Sequence, residues 1–366
     1  MTSFALVFGI AFVITLGLTP VARWLGFRLG LVDRPGGRRV HKGVIPRVGG
    51  FAMYIGFTVA VLATLLLPDT WFPPRLDPNE TTHLTGLLVG TAAAFLFGLL
   101  DDRLQFGHRP QYIAQFICSL IAIAFVIHIK HVNNPFTDRF FFGPDGFPWA
   151  IVWGLTIFWF MGMMNTVNFL DGLDGLAAGV AAIVSGVLAF HMWREGQYSV
   201  AALPLALLGA TLGFLPWNSH PAKIFMGSNG SYFLGFALAA LGIIAGAKMA
   251  TMLLVLALPI IDVAWLIWTR IRRGGVPAWN GRDHLHYRLV DIGFTQRQVV
   301  WGYYLFCTVF GVIALVTSSR LFKLITLAVL TSIMLGVLAW ASKQTPNSIH
   351  FNNRPKHPSE DGPPAH

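Results

Sequence analysis

The chain has 366 residues, 55% of them apolar and only 11% charged, with a mean hydropathy of +0.62. Soluble domains carry roughly 25% charged residues, so the composition excludes an ordinary soluble enzyme and points to an all-α polytopic membrane protein. A net charge of +10 would suit a nucleic-acid binder only if the basic residues gathered on one soluble surface, and they follow the loops instead.

Crossing the hydrocarbon takes ~20 apolar residues per helix. The pattern predicts about eleven transmembrane helices, starting near residues 3, 47, 83, 111, 149, 175, 200, 231, 248, 299 and 322. The first lacks a basic n-region and a cleavage site, so it reads as a retained helix. With the loop after it placed inside, that side and the C-terminal tail hold most of the 26 Lys and Arg. The positive-inside rule then puts the N-terminus outside and the C-terminus in the cytoplasm. The basic excess reflects orientation and attraction to the anionic lipid bilayer, and no nucleic-acid partner is expected. Cys118 and Cys307 lie inside apolar runs and read as core residues, with no disulfide framework.

These spans form one catalytic membrane domain over residues 1–342, with cytoplasmic loops at 27–46, 101–110, 167–174, 217–230 and 270–298. The polar, Pro-rich residues 343–366 read as a disordered cytoplasmic tail. The first loop, GLVDRPGGRRVHKGVIPRVGG, holds Arg34, Arg38, Arg39, Lys42 and Arg47. Its arginines suit a positive-inside anchor, whereas Asp33, His41, Pro46 and Gly49-Gly50 describe a loop shaped to grip a lipid phosphate. The outer loops at 69–82 and 131–148 carry no clustered titratable groups.

Asp101 and Asp102 close the third span. Adjacent carboxylates at a membrane edge repel each other unless a cation lies between them, and Mg²⁺ takes one or two carboxylates plus phosphate oxygens. The bland alternative is a solvated helix end, which the helix dipole disfavours for acidic residues. The stretch NTVNFLDGLDGLAAG places Asn165, Asn168, Asp171 and Asp174 within ten residues, between two apolar runs. Gly172, Gly175 and Gly179 allow a tight turn and close approach to a ligand, and the next helix aims its free N–H groups there. A metal ion and a phosphate are both expected at this turn. An Asp-capped interhelical turn is the plainer reading.

Further on, Asn218 and the run Gly227-Ser228-Asn229-Gly230-Ser231 can build a backbone anion nest, with Ser231 as helix cap. Asp262 lies inside an apolar run and is a functional candidate by its cost alone; pairing with Arg270 is the structural alternative. Arg282, Asp283, His284, His286 and Arg288 cluster in the longest loop without zinc-ligand spacing, so phosphate contacts are expected of the His and Arg side chains. An amphipathic surface helix is the alternative.

The blocks DRPGGRRVHKGVIPRVGG, GLLDDRLQF, NTVNFLDGLDGLAAG, PWN to FMGSNGS, PIID and RDHLHYRLVDIGF, spread from about residue 30 to 300, resemble the polyprenyl-phosphate N-acetylhexosamine-1-phosphate transferases. That family also includes the phospho-MurNAc-pentapeptide translocase; the HLHYRL block looks more like the branch using UDP-N-acetylglucosamine and undecaprenyl phosphate. The resemblance implies attack of a polyprenyl phosphate on a UDP-N-acetylhexosamine, giving a lipid diphosphate sugar and UMP. Mg²⁺ is the implied cofactor, with Mn²⁺ an allowed substitute. It implies that Asp101, Asp102 and Asp171 are catalytic, and that Asp101, Asp102, Asn168, Asp171 and Ser228 surround the metal. Asn165, Asp174, Asn218, Asn229, His41, Arg282, His284, His286 and Arg288 are then substrate-binding. Relatives form dimers, so a homodimer is among the allowed assemblies. Three positions depart from the family pattern: Ser228 replaces an Asp that ligates metal in relatives, Tyr287 replaces a His, and Gln111 stands where a Lys is expected. They leave open a catalytically weak relative that binds lipid phosphate or nucleotide sugar, and Asp262 leaves open a transporter.

Overall fold

The computed structural model describes residues 2–34, 43–68, 71–75, 78–137, 139–246, 249–272, 284–317 and 319–344. Thirteen helices follow in order among them: α1 (Thr2–Arg28), α2 (Gly49–Leu66), α3 (Glu80–Leu104), α4 (His108–Ala124), α5 (Trp149–Leu170), α6 (Leu176–Arg194), α7 (Tyr198–Asn218), α8 (Gly227–Ile244), α9 (Met249–Val255), α10 (Ala257–Arg272), α11 (Leu285–Asp291), α12 (Gln296–Val316) and α13 (Arg320–Gln344). Every one of the eleven expected spans lands on a helix or on the α9–α10 pair.

Nine of the described helices are long and apolar enough to cross a membrane, or ten with the bent α9–α10 pair counted as one span. The difference from eleven is α4, whose 17 residues span only about 25 Å at 1.5 Å per residue. It opens on the polar run His108-Arg109-Pro110-Gln111. The α9–α10 pair bends by 79°. Pro259 explains the break, because it has no N–H to offer the Val255 carbonyl four residues back.

Helix α8 is the axis of the bundle. It is small and apolar on every side, and such a helix buries all its faces; from Gly227 to Gly242 every residue is buried. Helices α3, α5, α2 and α6 pack around it, while α1 lies outside against α7 and α2. Cys118 and Cys307 are buried and unbridged, as their apolar surroundings predict. The expected tail begins a little later than residue 343, since α13 continues to Gln344; the rest lies outside the described residues.

The first loop is not wholly irregular. Val32–Asp33 (β1) and Ile45–Pro46 (β2) pair antiparallel. The chain after β2 then runs beside the segment leading into α8: Phe225 N–H donates to Pro46 O at 2.8 Å, and Gly49 N–H and Gly50 N–H donate to Phe225 O and Met226 O at 2.9 and 3.0 Å. This strap fixes the first loop to the start of the central helix.

Candidate active site at the N-terminus of helix α8

Four sequence blocks far apart in the chain meet where α8 begins. Gly227 has φ +76°, a conformation open to glycine, and a Cβ there would sit 2.7 Å from Asp102 Oδ2. The turn exposes the first N–H groups of α8. Those of Ser228 and Asn229 donate to Asp102 Oδ1 and Oδ2, each at 2.9 Å, and Asn229 Nδ2 donates to Oδ2 at 2.5 Å. Arg47, on the strap, reaches Asp102 Oδ1 at 2.9 Å, and its own carbonyl accepts from Asn229 Nδ2 at 3.2 Å. The anion nest is therefore real, but a carboxylate of the same chain fills it.

This changes the part expected of Asp102. Each of its oxygens already has two donors, which uses the roughly four lone-pair positions of a carboxylate. In this arrangement it has none left for a metal. It caps α8 from another helix, where a negative charge is favoured by the dipole, and it holds Arg47. Ser231 accordingly is not the cap; its hydroxyl donates to Asn168 Oδ1 at 3.2 Å.

Asp171 follows the last turn of α5 and part of it still reaches solvent. Burial pushes its carboxyl well above the ordinary carboxylate range, and the charges of Asp102 and Asp174 push the same way, while Arg47 and the Gly227 N–H oppose them. Among the described residues, Asp102, Asp171 and Asp174 thus bring three carboxylates close together with Arg47 as the opposing cation. Asp101, the residue before Asp102, is buried and accepts from Gln111 Nε2 at 2.9 Å, a neutral donor where the family pattern has a cation.

Among the described residues no three His, Cys, Asp or Glu side chains converge as a metal cage. The donor set nevertheless fits Mg²⁺, which usually takes one or two carboxylates and completes its shell with water and phosphate oxygens. Asp171 would supply a carboxylate, with Asn168 one turn earlier on α5 and the Ser228 hydroxyl at the adjoining helix end.

The DGLDG turn is held from several sides. Gly175 has φ +80° and precedes α6. Its N–H donates to Asn218 Oδ1 at 3.1 Å, Asn218 Nδ2 donates to Ile224 O at 3.1 Å, and the Tyr304 hydroxyl donates to Gly175 O at 2.6 Å. Asn218, expected as a substrate contact, is instead a buried clamp between two loops. Asp174 Oδ2 bonds His220 Nδ1 at 2.8 Å and accepts from Ala222 N–H at 3.1 Å. Nor is the space over the glycines left for a ligand: a Cβ at Gly172 would press on His286 Nε2 and lie 2.6 Å from the Tyr287 hydroxyl, and one at Gly179 would meet the Tyr304 ring.

Asn165 is likewise committed. It exchanges amide hydrogen bonds with Gln115 at 2.7 and 3.2 Å and donates to Met161 O at 2.8 Å. Asn229 is fully buried, its Oδ1 without a hydrogen-bond partner among the described residues. The segment from His284 lies against the turn as well. The His284 and His286 rings stack at 5.4 Å and 8°, and His284 faces the Phe169 ring at 5.0 Å. Arg288 follows half-buried on α11. Asp262, a functional candidate from its place in an apolar run, bonds His284. His41 and Arg282 lie outside the described residues. Sequence reasoning passed over His220, Gln115 and Tyr304. Only His220 left a signal, as a polar residue between the PWN and MGSNG blocks.

Residues 84–246 match the model of glycosyl transferase family 4. A probable undecaprenyl-phosphate N-acetylglucosaminyl 1-phosphate transferase of Bacillus subtilis (strain 168) is 31% identical over 87% of this chain and 86% of its own length. The decaprenyl-phosphate N-acetylglucosaminephosphotransferase of Mycobacterium tuberculosis (strain ATCC 25618 / H37Rv) is 32% identical over 85% of this chain and 81% of its own. An undecaprenyl-phosphate alpha-N-acetylglucosaminyl 1-phosphate transferase of Salmonella typhi is 28% identical over 76% and 74%. With relatives this similar along most of its length, the chain belongs to the family of polyprenyl-phosphate N-acetylhexosamine-1-phosphate transferases.

Proposed function

We propose that the protein transfers N-acetylglucosamine-1-phosphate from UDP-N-acetylglucosamine to undecaprenyl phosphate in a bacterial cytoplasmic membrane, starting a lipid-linked cell-envelope glycan. The observation that carries the reading to this site is the meeting of the DD, DGLDG and GSNGS blocks with Arg47 at the α8 N-terminus. These elements share one end of the bundle, the end that the positive-inside pattern assigns to the cytoplasm. There a soluble nucleotide sugar and a lipid head group can meet.

The bond that forms joins an acceptor phosphate oxygen to the sugar-bearing phosphorus, and the bond that breaks releases UMP. A phosphate monoester's second pKa is near ~6, so the acceptor is largely dianionic at neutral pH and needs no strong base. The protein's work is positioning and charge neutralisation. Mg²⁺ or Mn²⁺, held by Asp171 with Asn168 and Ser228 beside it, would neutralise charge on the diphosphate. His286 and Arg288 would donate to phosphate oxygens beside the DGLDG turn, with His284 next to them. Asp101 lies next to the metal-binding end as a positioning carboxylate, and Asp174 orders the 220–222 loop toward the nucleoside.

The test is UMP release by purified protein given UDP-N-acetylglucosamine and undecaprenyl phosphate across a Mg²⁺ titration, beside a Ser228→Asp variant. The expected result is release that a chelator abolishes, with Ser228→Asp lowering the half-maximal Mg²⁺ by about tenfold, a shift of the size seen when groups around a metal change. Ser228 itself favours a second reading, a binding protein derived from an enzyme. Silence from the native chain with release restored in the variant would establish that one. Asp262, which prompted the transporter reading, is tied to His284 beside the site.

A further inference from the structure

The α9–α10 break turns the start of α10 so that Asp262, 3% exposed, lies beneath the segment that opens α11. Both of its oxygens serve that segment. Asp262 Oδ1 accepts from Leu285 N–H at 2.9 Å, and Oδ2 lies 3.0 Å from His284 Nδ1. The first bond alone would make Asp262 a cap for a seven-residue helix. The second does something a cap does not.

An ionised carboxylate is an acceptor only, and this one already takes a backbone N–H. The ring nitrogen facing it must therefore carry the hydrogen. In the neutral ring this leaves Nε2 as the lone-pair nitrogen. Among the described residues, the hydrogen bond shown at the His284 ring is the one at Nδ1. The ring plane is fixed by parallel stacking on His286 and by Phe169, two residues before Asp171. His286 in turn packs on Gly172 of the DGLDG turn. Among the described residues, the titratable side chains Tyr287 on α11 and Tyr303 on α12 pack against His286.

We infer that Asp262 is a positioning residue for the transfer reaction: it locks His284 in the Nδ1–H form, so that the Nε2 lone pair accepts a hydrogen bond from a hydroxyl or amide N–H of the donor's N-acetylhexosamine. The kinetic part of this rests on the transferase reading; the tautomer does not. A carboxylate hydrogen-bonded behind a metal-bound imidazole typically contributes about 10- to 100-fold, and an effect of that order is expected here.

The experiment uses the full-length protein in detergent with ¹⁵N-labelled histidine. His284 is assigned from the signals lost in His284→Gln. The native protein should show the Nδ1–H pattern at His284, and Asp262→Asn should shift it to Nε2–H or to an averaged pattern. Native signals showing Nε2–H, or an Asp262→Asn spectrum unchanged at His284, would overturn the inference. These outcomes stand even if the native chain releases no UMP, in which case the transferase reading fails separately. Where UMP is released, Asp262→Asn and His284→Gln should each slow it by about 10- to 100-fold, and the double variant should be no slower than His284→Gln. Losses that multiply in the double variant would mean that Asp262 acts independently of the ring, since uncoupled sites add. Asp262→Glu, which keeps the acceptor, should recover part of the rate.

Discussion

Replacing Asp102 by alanine is expected to destabilise the protein by about 3–5 kcal/mol, the usual consequence of removing one partner of a buried ion pair. The substitution strips the acceptor from Arg47, from the Ser228 and Asn229 N–H groups and from Asn229 Nδ2 at once. The strap and the α8 N-terminus lose the same anchor. Asp102→Asn keeps one acceptor oxygen and should lie between alanine and native in thermal unfolding of the detergent-solubilised protein. The same pair of residues separates capping from metal binding. Mn²⁺, followed by electron paramagnetic resonance as a stand-in for Mg²⁺, should bind Asp102→Asn within the roughly 10- to 100-fold of an outer-shell change, whereas Asp171→Asn should exceed that range. Equal losses in both variants would return Asp102 to the ligand set.

Asp101 and Asp102 show why the sequence carries the site's location better than its wiring. Two adjacent carboxylates at the end of an apolar run are conspicuous to anyone reading hydropathy. Which one faces α8 depends on about 100° of helix rotation and on a partner 126 residues away, neither of which composition records. Asn165 and Asn218 fail for a related reason. An amide offers both donors and an acceptor, so the side chain that suits a ligand suits a clamp equally well. Gln115 and the Gly175–Ile224 loops took them. The helices themselves were legible because the length of an apolar run is a direct statement about membrane thickness. Even the α9–α10 break had its sign in Pro259. His284 and His286 could be grouped from their spacing, but not matched to Asp262, because their pairing depends on the bend that this proline makes.

Gly98→Ala should be among the most damaging single-methyl changes near the site. Gly98 and Asp102 are one helical turn apart and share a face of α3, so the residue that allows α3 to approach α8 sits directly below the residue that bonds it. A Cβ at Gly98 would fall 2.5 Å from Asn229 Cα and from the Ser228 carbonyl carbon, and closer still to Ser228 O. These are backbone atoms in the first turn of α8. They cannot rotate aside as a side chain would, and Asp102, the strap and the surrounding bundle hold them in place. Either α3 moves outward and stretches the bonds to Asp102, or α8 shifts and carries Ser228 away from Asp171. Overpacking of this kind costs about 1–3 kcal/mol, and a displacement near 1 Å at a phosphoryl-transfer site costs on the order of 10²-fold in rate. Gly302→Ala on α12 supplies the control, because a Cβ there meets nothing within 4 Å; alanine's better helix propensity should leave it neutral or slightly stabilising. Unfolding temperature and UMP release measured on both variants decide the matter. If Gly98→Ala behaves like Gly302→Ala, the close approach of α3 to α8 is not what holds the site together. If it loses rate far beyond its loss of stability, the distance between these two helices sets how the carboxylates meet the diphosphate.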